Sequence, residues 1–178
     1  MSGLSHQNKV IIVRSAVPSR DLGFLPGNVK EKIREYETPY RSICTDLFNR
    51  GDAYDILKSK GIIEFMSTSF VRGITLYDSI VILEEVQNMS FNEIYSVLTR
   101  IGKNCRVIIS GDFRQSDLER SGIQKFMRVI KKMKSFSFIE FGIQDIVRSD
   151  FVKELIVATI EEEKVCRNSS MPSIPVTS

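Results

Sequence analysis

The sequence predicts an α/β fold in which helices cover both faces of a mostly parallel β-sheet. Short apolar runs rich in valine and isoleucine alternate with stretches in which apolar residues recur at helical spacing. Several of these runs end in polar or charged residues, and ligands of open α/β sheets bind just beyond the carboxyl ends of the strands. The same pattern therefore predicts which edge of the sheet would carry a functional site.

Five segments are predicted to be strands, because each is short, apolar and bounded by polar or turn residues. In chain order they cover residues 9–13, 62–66, 80–83, 106–109 and 136–141. Arg14 follows the first strand, Glu84 and Glu85 follow the third, and Ser110-Gly111-Asp112 follows the fourth. Since carboxyl ends of parallel strands share one edge, we expect these groups to lie together.

Six segments have apolar residues at the spacing of helices. They cover residues 29–36, 38–47, 52–58, 90–101, 121–134 and 151–163. Pro39 falls in the first turn of the second segment, where proline is tolerated. Ser90 and Glu93 fit a capping box at the start of the fourth segment.

We expect one domain over residues 1–163 and a disordered tail over 164–178, which is polar and contains two prolines. A chain of 178 residues with 42% apolar and 26% charged residues is typical of a globular protein with a real core. No apolar run approaches the roughly 18 residues of a membrane-spanning helix. The first ten residues lack the apolar centre of a signal peptide. The sequence thus predicts a cytoplasmic protein that does not associate with membranes.

Cysteine and histidine offer little chemistry in this chain. Cys44, Cys105 and Cys166 are odd in number and widely spaced, which fits neither a disulfide framework nor a metal site. The single histidine, His6, lies in a polar stretch. Histidine-based acid–base catalysis and histidine-rich metal sites are therefore not expected.

A basic segment lies in the last third of the chain, where no acidic residue interrupts residues 120–134. Its members are Arg120, Lys125, Arg128, Lys131, Lys132 and Lys134. One interpretation is a solvated helix face. The other is a surface that contacts a nucleic-acid backbone, which would make binding dependent on salt.

The Glu84-Glu85 pair resembles the Walker B arrangement of nucleotide-hydrolysing folds. There the first carboxylate holds Mg²⁺, directly or through water, and the second orients the water that attacks the γ-phosphate. Asp112 and Gln115, after the neighbouring strand, would add a γ-phosphate sensor, and Arg148 would supply a charge-stabilising arginine. The alternatives are a strand that ends in solvated charges and a structural role for Arg148.

Seven motifs in order make the chain resemble PhoH-like proteins, the phosphate-starvation-inducible ATPases of bacteria and their phages. The matching segments are 13–17 (VRSAV), 22–27 (LGFLPG), 71–76 (VRGITL), 81–88 (VILEEVQN), 98–102 (LTRIG), 110–118 (SGDFRQSDL) and 144–148 (QDIVR). The resemblance extends from about Lys9 to Glu163 and covers the C-terminal two-thirds of the family pattern. It implies a P-loop NTPase fold of the superfamily 1 helicase kind.

The resemblance also implies an activity, in which ATP and Mg²⁺ are bound and hydrolysis is coupled to work on RNA or another polymer, with RNA or single-stranded nucleic acid as a partner. Glu84 would be the metal-linked carboxylate and Glu85 the catalytic one. Gln87 and Gln115 would report the γ-phosphate, with Asp112 beside them, and Arg148 would be the arginine finger. Arg14 and Arg72 would face nucleotide or nucleic acid. A homo-oligomer is expected, in the cytoplasm of the host if a phage encodes the chain.

Two departures from the family pattern bear on activity. The family has aspartate where this chain has Glu84, and Mg²⁺ demands near-ideal octahedral geometry. No G-x-x-x-x-G-K-[ST] loop, which would cradle the phosphates, occurs in the 178 residues, and the first strand of the core is also missing. A split gene with the loop on a partner chain, a truncated or misassigned start, and a degenerate paralogue all fit this absence. We therefore expect the chain to be inactive alone.

Two other functions compete with a nucleotide hydrolase. One is a non-catalytic module that binds nucleic acid or contributes to an assembly through the basic segment. The other is a nuclease, in which Glu84, Glu85, Asp112 and Asp117 would bind metal for phosphodiester hydrolysis. The nucleotide-site interpretation accounts for the same residues better.

Overall fold

The computed structural model describes residues 9–15, 29–112 and 122–169. The chain divides into two compact units, Met1–Met133 and Lys134–Ser178. Among the described residues, the first unit contains the sheet and four α-helices, and the second contains one α-helix.

The sheet of the first unit has four strands, all parallel. They are β1 (Lys9–Arg14), β2 (Ile63–Ser67), β3 (Ser79–Leu83) and β4 (Arg106–Ile109), in the order β2-β1-β3-β4. Val13 pairs with Met66 of β2 and with Leu83 of β3, and Leu83 pairs with Ile109 of β4. The predicted α/β fold with a parallel sheet is confirmed.

In the part of the chain that the structure describes, five α-helices connect and follow the strands. They are α1 (Val29–Phe48), α2 (Ala53–Ser59), α3 (Phe91–Leu98), α4 (Ile123–Ile130) and α5 (Asp150–Ser169). Short 3₁₀ turns occupy Val86–Asn88 and Ile143–Asp145. The capping box predicted at the start of α3 is present, because Ser90 and Glu93 each accept a bond from the other's backbone N–H.

The first helix differs from the prediction of two separate helices. α1 runs without interruption from Val29 to Phe48 and contains Pro39 in its interior. Proline removes one backbone hydrogen bond there, but its φ is compatible with a helix. Tyr40 and Cys44, which follow it, are buried in the core. Tertiary packing of this C-terminal half therefore outweighs the local preference to stop at the proline.

The strand predicted at residues 136–141 is wrong, because this segment has no regular secondary structure. Phe138, Ile139 and Phe141 are 53%, 82% and 71% exposed. A run of β-prone residues becomes a strand only where a neighbouring strand accepts its hydrogen bonds. In the same unit α5 continues to Ser169, beyond the end predicted at Glu163.

β1 is buried on both of its faces. On one face Ile12 of β1 packs with Tyr40 and Cys44 of α1 and with Ala53 and Tyr54 of α2. The other face starts from Ile11 and Val13, which alternate with Ile12 along β1 and are also buried. Their partners in β3, Val81 and Leu83, point to the same side and are fully buried. Buried residues of α3 and α4 complete the core of this unit; they are Ile94, Val97, Ile123, Phe126 and Ile130.

Ion pairs join α1 to α2. Glu37 is 2% exposed and is bonded by Lys58, with Arg41 at 3.8 Å. Arg41 in turn bonds Asp55 at 2.6 Å. A buried carboxylate needs such partners, because burial of an unpaired charge is costly. These contacts orient α1, which also carries Tyr40 to the edge of the sheet described next.

The strand order creates a switch point between β1 and β3. The chain leaves β1 for β2 on one side, whereas it leaves β3 for β4 on the other. A crevice opens at the carboxyl ends of two such strands, and ligands of open α/β sheets bind there. None of the helices in the described ranges is both long and apolar enough to cross a membrane.

Candidate functional site

The backbone beyond the strand ends keeps the residues of the switch point together. The N–H of Glu84 donates to the carbonyl of Val13 at 3.1 Å, and that of Ser110 donates to Leu83 at 2.9 Å. On the other side of β1, the N–H of Thr68 donates to Arg14 at 2.9 Å. The sheet ladder thus extends by one bond at each strand end, so the polar groups predicted to share this edge do share it.

Glu84 lies between β1 and α1. Its Oε2 accepts a hydrogen bond from the Tyr40 hydroxyl, and the Arg14 Nε is 3.8 Å from the same oxygen. Burial raises the pKa of the Glu84 carboxyl, and the nearby charge of Glu85 raises it further. The positive charge of Arg14 lowers the pKa, but it remains above its ordinary value. The ionised carboxylate is therefore held at a cost in stability.

Replacing Glu84 by glutamine should stabilise the fold at neutral pH. A group with a raised folded-state pKa favours folding below its unfolded pKa and loses that contribution as pH rises. Because 34% of the Glu84 side chain is exposed and solvent screens its charge, we expect the free energy of unfolding to rise by at most about 1 kcal/mol. Urea unfolding at pH 7.5 and near pH 4 would measure it, and the difference should vanish at the lower pH. Glu35→Gln, at an exposed glutamate of α1, is the control; equal stability of both variants at pH 7.5 would contradict this account.

Glu85 has a backbone conformation that is unusual for its residue type. Its φ of 56° and ψ of 42° lie in the left-handed region, which costs a non-glycine residue roughly 1–2 kcal/mol. The Gln87 Nε2 donates to its Oε2 at 2.9 Å, with the Asn88 amide at 3.4 Å. Strained residues of this kind concentrate at functional sites, where the surrounding structure holds them in place.

Gln87 bridges the ends of β3 and β4. Besides donating to Glu85, its Oε1 accepts the backbone N–H of Asp112 at 3.1 Å, and the side chain is buried. A Cβ at Gly111 would lie 2.7 Å from this Oε1, so the approach requires glycine there. Both ends of the Gln87 amide thus fix Glu85 relative to the loop after β4.

Glu93 connects the ends of β1 and β2 to the start of α3. The sequence predicts only its role in the capping box. Its Oε1 accepts from the hydroxyls of Ser15 at 2.9 Å and Thr68 at 2.8 Å. Its Oε2 accepts from the hydroxyl and the backbone N–H of Ser90. Burial alone would raise the pKa of Glu93, but the bonds from Ser90, Thr68 and Ser15 outweigh it and hold the pKa below its usual range.

The remaining predicted residues lie at several places along the chain. Asp112 is exposed directly after β4, and Arg72 is exposed on the turn after β2. Arg148 lies in the second unit, just before α5. Gln115, Arg120 and Asp117 lie outside the described residues. Exposed basic side chains on α4 and at its end are Lys125, Arg128, Lys131 and Lys132, and Lys134 begins the second unit.

Within the described ranges, no three acidic, cysteine or histidine side chains form a group that could hold a metal ion. Glu84 and Glu85, the metal-side carboxylates of the sequence prediction, are adjacent directly after β3. Both described contacts of Glu84 are made to Oε2. Mg²⁺ at nucleotide sites usually takes one or two carboxylates and completes its shell with water and phosphate. The donors present fit that mode, and they do not fit an all-protein metal cage.

A sequence profile described as PhoH-like protein matches residues 4–160. The chain belongs to the PhoH-like family. This family member is 37% identical over 157 residues to a PhoH-like protein of Bacillus subtilis, covering 86% of the chain and 49% of that relative. It is 33% identical over 160 residues to a PhoH-like protein of Mycobacterium leprae, and 33% identical over 147 residues to Protein PhoH of Escherichia coli K12. These matches cover 88% and 80% of the chain, and 46% and 42% of the relatives.

The PhoH-like chain thus spans about half the length of the curated relatives it matches. The match includes the carboxyl edge of the sheet with Arg14, Glu84, Glu85, Gln87 and Asp112. Family membership confirms the resemblance inferred from the motifs. The roles of the individual residues stay predictions.

Proposed function

We propose that the chain is the part of a PhoH-like ATPase that carries the metal-side carboxylates and the γ-phosphate sensor. The observation that supports this most is the position of Glu84 and Glu85, adjacent at the carboxyl end of β3 and beside the switch point. A carboxylate pair at this place matches what ATP·Mg²⁺ hydrolysis requires. The left-handed conformation of Glu85 adds support, because the chain bears strain at the residue proposed to be catalytic.

In this proposal each residue has a defined task. Glu84 would hold Mg²⁺ through Oε1, the oxygen opposite the one bonded by Tyr40, and the metal would neutralise phosphate charge. Glu85 would orient the attacking water. Gln87 would transmit the position of Asp112 and the loop after β4 to Glu85 through its two amide bonds. Gln115 and Arg148 keep the sensor and arginine-finger roles implied by the family pattern.

The phosphate-binding loop would come from elsewhere, because the 178 residues contain no G-x-x-x-x-G-K-[ST]. β4 is an edge strand of the four-stranded sheet, and Ile108 in it is 45% exposed. A further parallel strand added at β4 would bring its loop next to Asp112. Such a strand would come from a longer polypeptide or from a partner chain. We further propose that the complete protein acts as an oligomer in the cytoplasm and couples hydrolysis to RNA.

A chimaera tests the proposal by joining the N-terminal part of the Bacillus subtilis relative to this chain. The 178-residue chain alone should show no ATP turnover above background, and the chimaera should hydrolyse ATP in the presence of Mg²⁺. Glu85→Gln in the chimaera should lower kcat by about 100-fold or more, because the group that orients water is lost. Glu35→Gln, on the exposed side of α1, should leave kcat unchanged. Turnover by the chain alone that is lost in Glu85→Gln would show that no further phosphate-binding loop is needed.

A second candidate is a non-catalytic member of the family. It is favoured by the contacts of Glu84, whose Oε2 is already engaged by Tyr40 and Arg14. The family has aspartate at this position. With Glu84 held by these contacts, the protein would bind nucleotide, but Glu84 would not provide the coordination geometry that Mg²⁺ needs. A folded chimaera that binds ATP but does not hydrolyse it would support this candidate and reject the first.

A further inference from the structure

One surface of the first unit combines exposed aromatic and basic side chains, and we refer to it as the α3–α4 surface. Tyr95 of α3 is 60% exposed. Lys125 and Arg128 of α4 are exposed, and Lys131 and Lys132 follow at the end of the helix. The segment 122–134 contains no acidic residue that would neutralise them locally. The surface therefore presents a positive charge next to an accessible ring.

Phe91 links the two helices within this surface. The Lys125 Nζ lies 4.3 Å from the centroid of the Phe91 ring. The Tyr95 ring stacks on Phe91 with centroids 5.9 Å apart and 21° between the ring planes. A Cβ at Gly122 would lie 1.9 Å from the Phe91 backbone nitrogen, so the start of α4 fits against α3 only because residue 122 is glycine. The ammonium and the two rings are thus fixed relative to each other.

This arrangement has the features of a site for an unpaired nucleic-acid strand. Aromatic rings bind successive bases by stacking, and lysine and arginine side chains follow the phosphates. Arg128 is in the last turn of α4 and Lys132 follows the C-cap residue Lys131, so both cationic side chains come from the C-terminal end of this helix. A basic face without an exposed ring would bind a duplex as well, because it reads only phosphate. The ring at Tyr95 favours a strand whose bases are free.

Polar side chains beside Tyr95 favour RNA over DNA. Asn92 precedes Tyr95 by three residues on α3, and Thr99, the C-cap residue, follows it by four; both are exposed. The Thr99 hydroxyl donates to the Ser96 carbonyl at 3.1 Å, which leaves its oxygen as an acceptor. An amide and a hydroxyl can exchange hydrogen bonds with a ribose 2′-hydroxyl, the group by which proteins distinguish RNA from DNA.

We propose that the α3–α4 surface binds single-stranded RNA, with a base stacked on Tyr95 and the adjoining phosphates on Arg128 and Lys132. Lys125, which contacts Phe91, holds the stacked rings and adds positive charge. The inference rests on the proposed function only for the coupling of RNA to hydrolysis. The binding itself requires no nucleotide and is a property of the 178-residue chain.

Binding of a fluorescent RNA of about 12 nucleotides to the purified chain, without nucleotide, tests the proposal. Tyr95→Ala should weaken binding about 10-fold, and Tyr95→Phe should retain it, because the ring and not the hydroxyl stacks. Arg128→Glu with Lys132→Glu should weaken binding about 100-fold at about 50 mM salt and reduce its salt dependence. Thermal unfolding of each variant would confirm that it is folded.

Matched controls come from the same unit. Tyr77 is 56% exposed but lies outside the α3–α4 surface, so Tyr77→Ala should bind RNA like the wild type. Lys60→Glu with Lys103→Glu makes the same charge change at two exposed lysines elsewhere. Equal loss of binding in the control pair and in the Arg128 and Lys132 pair would overturn the proposal, since it would reduce the effect to net charge.

Three further results would also overturn it. They are unchanged RNA binding in Tyr95→Ala, equal affinity for the corresponding single-stranded DNA, and a dimer of the chain that Tyr95→Ala dissociates while RNA fails to bind. The assay contains no ATP, so its outcome is independent of hydrolysis by the chimaera. RNA binding by the surface together with an inactive chimaera would reject the proposed ATPase and keep the present inference.

Discussion

Replacing Glu93 by alanine is expected to lower the free energy of unfolding by about 3 kcal/mol. The carboxylate accepts four hydrogen bonds at 2.8–2.9 Å, from Ser15, from Thr68 and two from Ser90. Its removal takes the reciprocal cap from α3 and leaves the part-buried hydroxyls of Ser15 and Thr68 without their acceptor. Hydrogen bonds to a charged acceptor are worth more than neutral ones, which is why the loss should exceed that of an ordinary cap.

The effect of Glu93→Ala should depend on pH. Because the pKa of Glu93 is held below its usual range, its contribution to stability is present above the unfolded pKa, about 4.3, and is lost as pH falls through the folded pKa. The difference between wild type and variant should therefore be largest near neutral pH and shrink below about pH 4.

Urea unfolding at pH 7 and at progressively lower pH would measure this difference. Glu35→Ala removes an exposed glutamate from α1 and should change stability by less than about 0.5 kcal/mol. Glu93→Gln should fall between the wild type and Glu93→Ala, because an amide oxygen can accept only part of the four bonds. A loss below 1 kcal/mol in Glu93→Ala, or a loss that does not change with pH, would contradict the role assigned to this carboxylate.

Replacing Gly122 by alanine is expected to lower the free energy of unfolding by about 3 kcal/mol. The added Cβ would lie 1.9 Å from the nitrogen and 2.3 Å from the Cα of Phe91. Both are backbone atoms, which cannot rotate away as a side chain could. With φ at −67°, the backbone of Gly122 itself suits alanine, so the whole effect should come from the forced separation of α3 and α4.

Gly51→Ala provides the matched control for this variant. A Cβ at Gly51 would meet nothing within 4 Å, so the substitution should be neutral or stabilise by up to about 1 kcal/mol through the unfolded chain. Chemical unfolding of both variants measures the contrast. Separation of the helices should also move Lys125 away from Phe91, so weaker RNA binding is expected in a folded Gly122→Ala chain. Equal stabilities of the two variants would show that α4 is not closely packed at this point.

The four strands of the sheet and the polar groups at their carboxyl edge could be predicted from the sequence because they depend on local patterns. Short, continuous apolar runs usually form the inner strands of a parallel sheet, as β1 and β3 do here. The polar groups at their ends, Arg14 and Glu84, then lie together as a consequence of parallel pairing. The capping box at Ser90 and Glu93 was equally predictable, since all its atoms come from four consecutive residues.

The tertiary contacts of the same groups could not be predicted from local patterns. Ser15 and Thr68 meet Glu93 only because the sheet brings the ends of β1 and β2 to the start of α3. The bond from Tyr40 to Glu84 depends on the length of α1, which the pattern around Pro39 divided in two. In the second unit, the β-prone residues 136–141 form no strand, because strand formation needs a partner that composition does not reveal.

The order of the strands has a consequence for synthesis and folding. Val10 pairs with Ile63 of β2 and with Ile80 of β3, so β1 is an inner strand and both its partners are made after it. Pairing strands that are far apart in the sequence requires the closure of long loops. The loss of chain entropy comes before the stabilising contacts form, which makes folding slow. Until residue 83 has left the ribosome, the apolar run KVIIV has at least one open edge, and a nascent chain in this state is prone to aggregation. Production of the protein should therefore benefit from slow translation or from chaperones that shield β1.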